Sequence, residues 1–121
     1  MKLHLSSLAA VCMATLALQN PVFAADLELG LTLVAELAQV NGVALACQDM
    51  PAAAKAKQLM LAHAPKTPRF GSAYEEGTHT SYLAQTRTAA VCPDSAAFAD
   101  KLDVLARRLQ QALPMVPTAA Q

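Results

Sequence analysis

The sequence of 121 residues contains no Trp, no Ile and only four Gly, and aromatic residues make up 4% of it. Strand-rich sandwiches and barrels depend on β-branched and aromatic side chains, so this composition argues against them. The chain also lacks an excess of charge, because nine Lys and Arg balance nine Asp and Glu. This balance excludes nucleic-acid binding through bulk positive charge and excludes a polybasic membrane patch. Alanine occurs 27 times, and the composition as a whole predicts one all-helical domain.

The first 24 residues have the pattern of an export signal. Lys2 precedes a largely apolar run over residues 3–18, and Val22 and Ala24 occupy the −3 and −1 positions of a cleavage site. The run is interrupted by Ser and Thr and is short for a membrane span. We therefore expect cleavage after Ala24, export to the periplasm or the medium, and no membrane span afterwards. The expected organisation is a signal peptide at 1–24, a helical domain at 25–113 and a flexible tail at 114–121.

Two of the three cysteines, Cys47 and Cys92, remain after this cleavage. Two cysteines in a small exported domain predict one disulfide. A covalent cross-link is also needed for stability, because a domain of this length has a small apolar core. A catalytic or metal-binding thiol pair is disfavoured because the two cysteines lack CxxC spacing and neighbouring ligands.

Hydrophobic patterning predicts a first helix over residues 26–41 and a second from Asp49 to Ala64. In the first, Asp26 is expected to cap the N-terminus, and Asn41-Gly42 to end or kink the helix. Its apolar stripe consists of Leu27, Leu31, Val34, Ala38 and Leu45.

A third helix is predicted over residues 68–91, with a kink or fraying at residues 77–81, where helix propensity is poor. The fourth is expected to end at Pro114 and to carry an Asp103–Arg107 pair. Its apolar seam consists of Phe98, Leu102, Leu105, Leu109 and Leu113. Four helices joined by short loops predict a small antiparallel four-helix bundle, regular or irregular, stapled by the disulfide.

No arrangement typical of an enzyme is found in the sequence. Glu75 and Glu76 are adjacent, and adjacent helical side chains point about 100° apart, so they cannot flank one substrate bond. A Gly-flanked nucleophile and a Gly-rich phosphate loop are both missing. Glu76 and His79 have Glu-x-x-His spacing, but a di-iron bundle needs two such motifs. Together with His63, these two residues could bind a single metal ion, so a metal carrier is a minor alternative. The leading expectation includes no metal and no cofactor.

The third helix is the predicted binding surface, because it concentrates aromatic and charged residues of the kind found at protein interfaces. The weak helix formers in its middle also indicate a region kept for function. Phe70 is expected to fill the core, and the flat, small-residue face of an Ala-rich helix is expected to allow a homodimer. The predicted binding residues are Tyr74, Glu75, Glu76, His79 and Tyr82.

The arrangement of the signal peptide, the helical domain and the two cysteines resembles that of two groups of periplasmic proteins. Cys47, Cys92 and the segment Phe98-Ala99-Asp100-Lys101-Leu102 are similar in arrangement to the periplasmic acid-stress chaperones. In its length and its single disulfide, the chain is also similar to small helical immunity proteins that block toxins delivered by rival bacteria. We therefore expect a non-catalytic protein that binds another protein of the cell envelope, as an inhibitor, immunity protein or accessory factor. The alternative is an acid-stress chaperone that partly unfolds and offers apolar helices to clients.

Overall fold

A computed structural model describes residues 21–115 of the chain, with side chains described from Asp26 onward. This part of the chain is all-α, as predicted, and forms four helices: α1 (Pro21–Ala46), α2 (Met50–His63), α3 (Pro68–Thr88) and α4 (Ser95–Ala112). Most of the predicted signal peptide and most of the predicted tail lie outside the described residues.

The four helices form an irregular bundle around α1. This helix packs against each of the other three, α2 also packs against α4, and α3 packs mainly against α1. Consecutive helices run in opposite directions, whereas α1 and α3 run in parallel, since Glu28 pairs with Arg69 near their starts and Asn41 with Thr78 further along. In a regular up-and-down bundle the first and third helices lie diagonally and do not touch. The irregular form of the predicted bundle is therefore the one that occurs.

The predicted boundaries of α1 are wrong at both ends. The helix begins before Asp26, which is therefore not its N-cap, and it continues through Asn41 and Gly42 to Ala46. Leu33, Val34 and Leu37 are fully buried, although the predicted stripe included only the second of them. The reason is that helices pack on several sides of α1, so its apolar surface is wider than the stripe of a surface helix.

The segment Asp26–Ala46 of α1 is also long and apolar enough to cross a membrane, with a mean hydropathy of 1.5 over its best window. Half of that window is buried within the bundle. A helix covered by neighbours on several sides needs an apolar surface for packing alone. The packing of α2, α3 and α4 thus accounts for its composition.

Two glycines allow α1 and α3 to approach closely. A Cβ atom at Gly42 would lie 2.8 Å from the Tyr82 amide nitrogen of α3, and one at Gly77 would lie 2.8 Å from the Cβ of Ala38. The predicted kink in α3 is wrong, because the helix is continuous from Pro68 to Thr88. Its poor helix formers are explained by packing: small side chains in the middle of α3 let the two backbones meet.

Gly42→Ala is expected to lower the free energy of unfolding by about 2–3 kcal/mol, because the new methyl group meets the α3 backbone, including the Thr78 carbonyl oxygen. Gly71→Ala is the matched control, since it also lies within a helix but has nothing within 4 Å of its would-be Cβ. That variant should gain up to about 1 kcal/mol from helix propensity. Urea denaturation followed by circular dichroism measures both, and stabilisation by both substitutions would contradict the close α1–α3 approach.

The helix α2 begins directly after Asp49, as predicted, and both α2 and α4 are capped by an aspartate. The Asp49 carboxylate accepts the Ala52 amide at 3.1 Å, and the Asp94 carboxylate accepts the Ala97 amide at 2.7 Å. Asp49 also accepts the Ser95 hydroxyl at 2.9 Å, which joins the starts of the two helices. The predicted seam of α4 is confirmed, because all five of its side chains are buried: Phe98, Leu102, Leu105, Leu109 and Leu113.

Two smaller predictions are wrong. Within the described residues Asp103 and Arg107 form no ion pair; the adjacent Arg108 pairs instead with Glu36 of α1 at 3.1 Å. The third helix ends at Thr88, because Ala89 adopts the left-handed conformation with φ of 49°. The small-residue face of α2 is covered by the protein itself, and its buried alanines are Ala52, Ala53 and Ala56. Homodimer formation through other residues stays a prediction.

The predicted disulfide between Cys47 and Cys92 is confirmed, with a Cα–Cα distance of 5.7 Å. Cys47 lies in the loop between α1 and α2, and Cys92 lies in the loop between α3 and α4. The bridge therefore joins two loops at the same end of the bundle. Phe70 is also buried, as predicted, and is the one fully buried residue of α3.

Candidate binding site

A shallow pocket of about 330 Å³ lies between α1 and α3, and we call it the α1–α3 groove. The lining residues are Asn41, Leu45, Tyr74, Glu75, Thr78, His79 and Tyr82. It brings together four of the five residues predicted from the sequence to bind a partner. The fifth, Glu76, is exposed on α3 and does not line the groove.

Helical periodicity places these side chains. Tyr74, Thr78 and Tyr82 are spaced four residues apart on α3, so they project along one side of the helix. Asn41 and Leu45 have the same spacing on α1 and form the opposite wall. Sequence reasoning missed the α1 wall because it treated Asn41 as a helix end. A polar residue within an apolar helix was the available signal, since such a residue needs a partner when buried.

The floor of the groove is fixed by one hydrogen bond between the helices. Asn41 is buried, with 8% of its surface exposed, and its Nδ2 donates to the Thr78 hydroxyl at 3.1 Å. A buried amide without a partner would cost about 1–3 kcal/mol. The bond therefore favours the observed register of α1 against α3.

The rim of the groove combines apolar and polar groups. Tyr82 is 40% exposed and Leu45 37% exposed, and His79 and Glu75 are exposed beside them. Tyrosine next to an aliphatic side chain presents a large apolar surface together with a hydrogen-bonding group. Mixed surfaces of this kind are common at protein interfaces.

Tyr74 forms the inner part of the groove. Its ring packs against the core, and its hydroxyl oxygen is shielded from solvent without a hydrogen-bond partner. Burial raises the pKa of the Tyr74 phenol from its ordinary value of 10.0 to about 12. Because its ring packs against the core, Tyr74 contributes to stability as well as to the groove.

Tyr74→Phe is expected to raise the free energy of unfolding by up to about 1 kcal/mol, since it removes a buried hydroxyl that has no partner. The pKa of Tyr74 is higher in the folded protein than in the unfolded chain. As the pH rises from 10 towards 12, Tyr74 therefore ionises mainly in the unfolded chain, and the free energy of unfolding falls. The Tyr74→Phe variant should lack this part of the stability loss at alkaline pH, whereas the matched control Tyr82→Phe should retain it. Denaturation at several alkaline pH values tests this, and equal losses in both variants would contradict the assignment.

A larger cavity of about 870 Å³ lies at the opposite end of the bundle from the disulfide, between the start of α1 and the ends of α2 and α4. Its lining is mostly apolar, and it includes His63, whose Nδ1–H donates to the Leu113 carbonyl at 2.8 Å. His79, in contrast, lines the α1–α3 groove. Among residues of the described part, no group of three His, Cys, Asp or Glu is placed to hold a metal ion. The structure thus separates the residues of the alternative metal site, His63, Glu76 and His79.

The α1–α3 groove is therefore the candidate site that sequence and structure identify together. Its aromatic residues, its exposed leucine and its buried polar floor are typical of a surface that binds a macromolecule. The chain matches no protein-family model, no curated protein and no solved structure.

Proposed function

We propose that this is an exported, non-catalytic protein that binds another protein of the cell envelope through the α1–α3 groove, as an inhibitor, immunity protein or accessory factor. The observation that carries the proposal is the groove itself, in which Tyr74, His79 and Tyr82 of α3 face Asn41 and Leu45 of α1. The proposed activity requires no cofactor, metal, nucleic acid or membrane span.

The packing of α3 supports a role in binding. This helix packs mainly against α1 and buries only Phe70 fully, so most of its surface faces solvent. Tyr82 is among the exposed large hydrophobic residues of the described chain, and Leu45 lies beside it. Exposed aromatic residues clustered with aliphatic ones are the usual anchors of protein interfaces.

Two features support export. The apolar segment at the N-terminus is compatible with a signal sequence, and disulfides persist mainly in oxidising compartments. We infer that the signal is removed after Ala24 and that the protein works in the periplasm or outside the cell.

Site-specific photocrosslinking in intact cells tests the proposal. A crosslinking residue at position 79 should give one discrete adduct with an envelope protein, and the same residue at position 57, on the exposed face of α2, should give none. The adduct should disappear when Tyr82→Ala and Leu45→Ala are added to the crosslinking variant. Glu76→Ala, an exposed α3 residue outside the groove, is the matched control and should leave the adduct unchanged. An adduct at position 57 without one at position 79 would contradict the proposal and place the binding site on α2.

An acid-stress chaperone is the second candidate, and the charge composition of the chain favours it. In strong acid the carboxylates of the chain as a whole are protonated, whereas its nine Lys and Arg stay charged. The chain then becomes strongly positive, which adds repulsion between its parts.

Dye binding in acid separates the two candidates. A chaperone should expose apolar surface that binds an environment-sensitive dye at low pH, suppress aggregation of an unfolded client and recover at neutral pH. A dedicated binding protein should remain compact or precipitate instead.

A further inference from the structure

The loop between α3 and α4 presents an unusually exposed aliphatic side chain. We call residues 89–93 the Val91 loop; its sequence is Ala-Ala-Val-Cys-Pro, and all five residues are exposed. Val91 is 94% exposed, the highest value among the exposed large hydrophobic residues of the described chain. Leu61, the next in order, is 60% exposed.

The backbone on both sides of Val91 is held in place. Gln85 of α3 donates from Nε2 to the Ala90 carbonyl at 2.7 Å. Cys92 is bonded to Cys47, and Pro93 restricts its own φ and favours an extended conformation at the residue before it. On the far side, Asp94 caps α4. The loop is thus braced at its ends while its central side chain projects into solvent.

A braced loop of this kind is suited to binding in a fixed conformation. Ordering a flexible loop on binding costs free energy, and a loop already held in its bound form avoids much of that cost. No residue of the Val91 loop is charged, and the three residues before the cysteine are small and aliphatic. The partner should therefore offer a small apolar pocket together with groups that bind the backbone on either side of Val91.

We propose that the Val91 loop is bound as a substrate-like segment by serine endopeptidases whose primary specificity pocket accepts a small aliphatic side chain. Such pockets occur in elastase-type enzymes, whereas trypsin-type pockets require a cation. Val91 occupies the pocket, and the Val91–Cys92 peptide bond lies at the catalytic serine. This proposal is independent of the α1–α3 groove, with which the loop shares no residue.

The disulfide determines the outcome of attack on this bond. The serine oxygen adds to the Val91 carbonyl carbon as the enzyme's histidine takes its proton. The Val91–Cys92 bond then breaks, and the Cys92 amine leaves with that proton. Water normally hydrolyses the acyl-enzyme to give the Val91 carboxylate. Here Cys92 stays attached through Cys47, which lies on the other side of the cut, so the amine remains beside the acyl group and can re-form the bond. The loop should therefore occupy the enzyme for longer than a linear peptide does.

Inhibition of pancreatic elastase by the disulfide-bonded protein tests the proposal. Hydrolysis of a chromogenic peptide should be competitively inhibited, with cleavage confined to the Val91–Cys92 bond. The cut protein should stay as one molecule until a reductant separates it into two fragments. Absence of both inhibition and this selective cleavage would overturn the proposal.

Substitutions at Val91 make the test specific. Val91→Asp should weaken inhibition by at least about 100-fold, because it places a carboxylate in an apolar pocket. Val91→Arg should transfer inhibition from elastase to trypsin. Val104→Asp, at a 45%-exposed valine of α4, is the matched control and should inhibit elastase as the unmodified protein does. With folding verified by circular dichroism, undiminished inhibition by Val91→Asp would also overturn the proposal.

Discussion

Replacing Cys47 and Cys92 together with alanine is expected to lower the free energy of unfolding by about 4 kcal/mol. The bridge closes a loop with a sequence separation of 45 residues, and a loop of that length restricts the unfolded chain strongly. It also fastens the end of α3 to the end of α1, which matters because α3 packs mainly against α1 and buries only Phe70. For a domain of this size the loss is a large fraction of the total stability.

Urea denaturation of the double variant and of the unmodified protein measures this difference. Reductant provides the control: it should destabilise the unmodified protein by a similar amount and leave the variant unchanged. Thiol titration of the exported protein, purified without reductant, should find no free cysteine. Finding two free thiols, or a melting temperature insensitive to reductant, would contradict the structural role of the bridge.

Leu105→Ala is expected to cost about 3–4 kcal/mol, whereas Arg108→Ala should cost less than about 1 kcal/mol. Leu105 lies in the middle of the α4 seam and is 2% exposed, so its truncation leaves a cavity at the centre of the core. Arg108, one turn further along the same helix, is 44% exposed in its side chain and pairs with the similarly accessible Glu36. Solvent and salt screen such a pair, so it contributes little.

The comparison of these two α4 variants in urea checks the phase of the helix. Sodium chloride supplies an additional control, since added salt should reduce the small effect of Arg108→Ala and leave that of Leu105→Ala unchanged. Equal losses from both substitutions would mean that α4 presents a different face to the core.

The parts of the fold that depend on local pattern were predictable from the sequence. The α4 seam is a plain helical repeat, and Asp49 and Asp94 are followed by apolar helical stretches, so both caps could be identified. The disulfide could be inferred from the cysteine count. In each case the decisive information lies within one segment of the chain or in its composition.

The crossing of α1 and α3 was not predictable in this way. Asn41 and Gly42 have the local signature of a helix end, yet they lie inside α1 because Thr78 and the α3 backbone supply their partners. The meaning of these residues depends on another helix more than thirty positions away. For the same reason, the α1 side of the candidate site could not be predicted. Tyr74 and Tyr82 were identifiable in the sequence, whereas Leu45 lies beside them only because the two helices pack in parallel.

The attachment of α3 has a consequence for motion within the folded protein. The helix is anchored near its start by the buried Phe70 and beyond its end by Cys92. Between these points it packs on α1 through small residues, the Tyr74 ring and one buried hydrogen bond. Because α3 packs mainly against α1, its separation from α1 would leave the packing among α1, α2 and α4 in place. Amide hydrogens of α3 should exchange with solvent through this local opening, well before those of the α4 seam, whose exchange requires global unfolding. Each such opening would dismantle the α1–α3 groove and rebuild it, so any partner bound there would slow hydrogen exchange along α3.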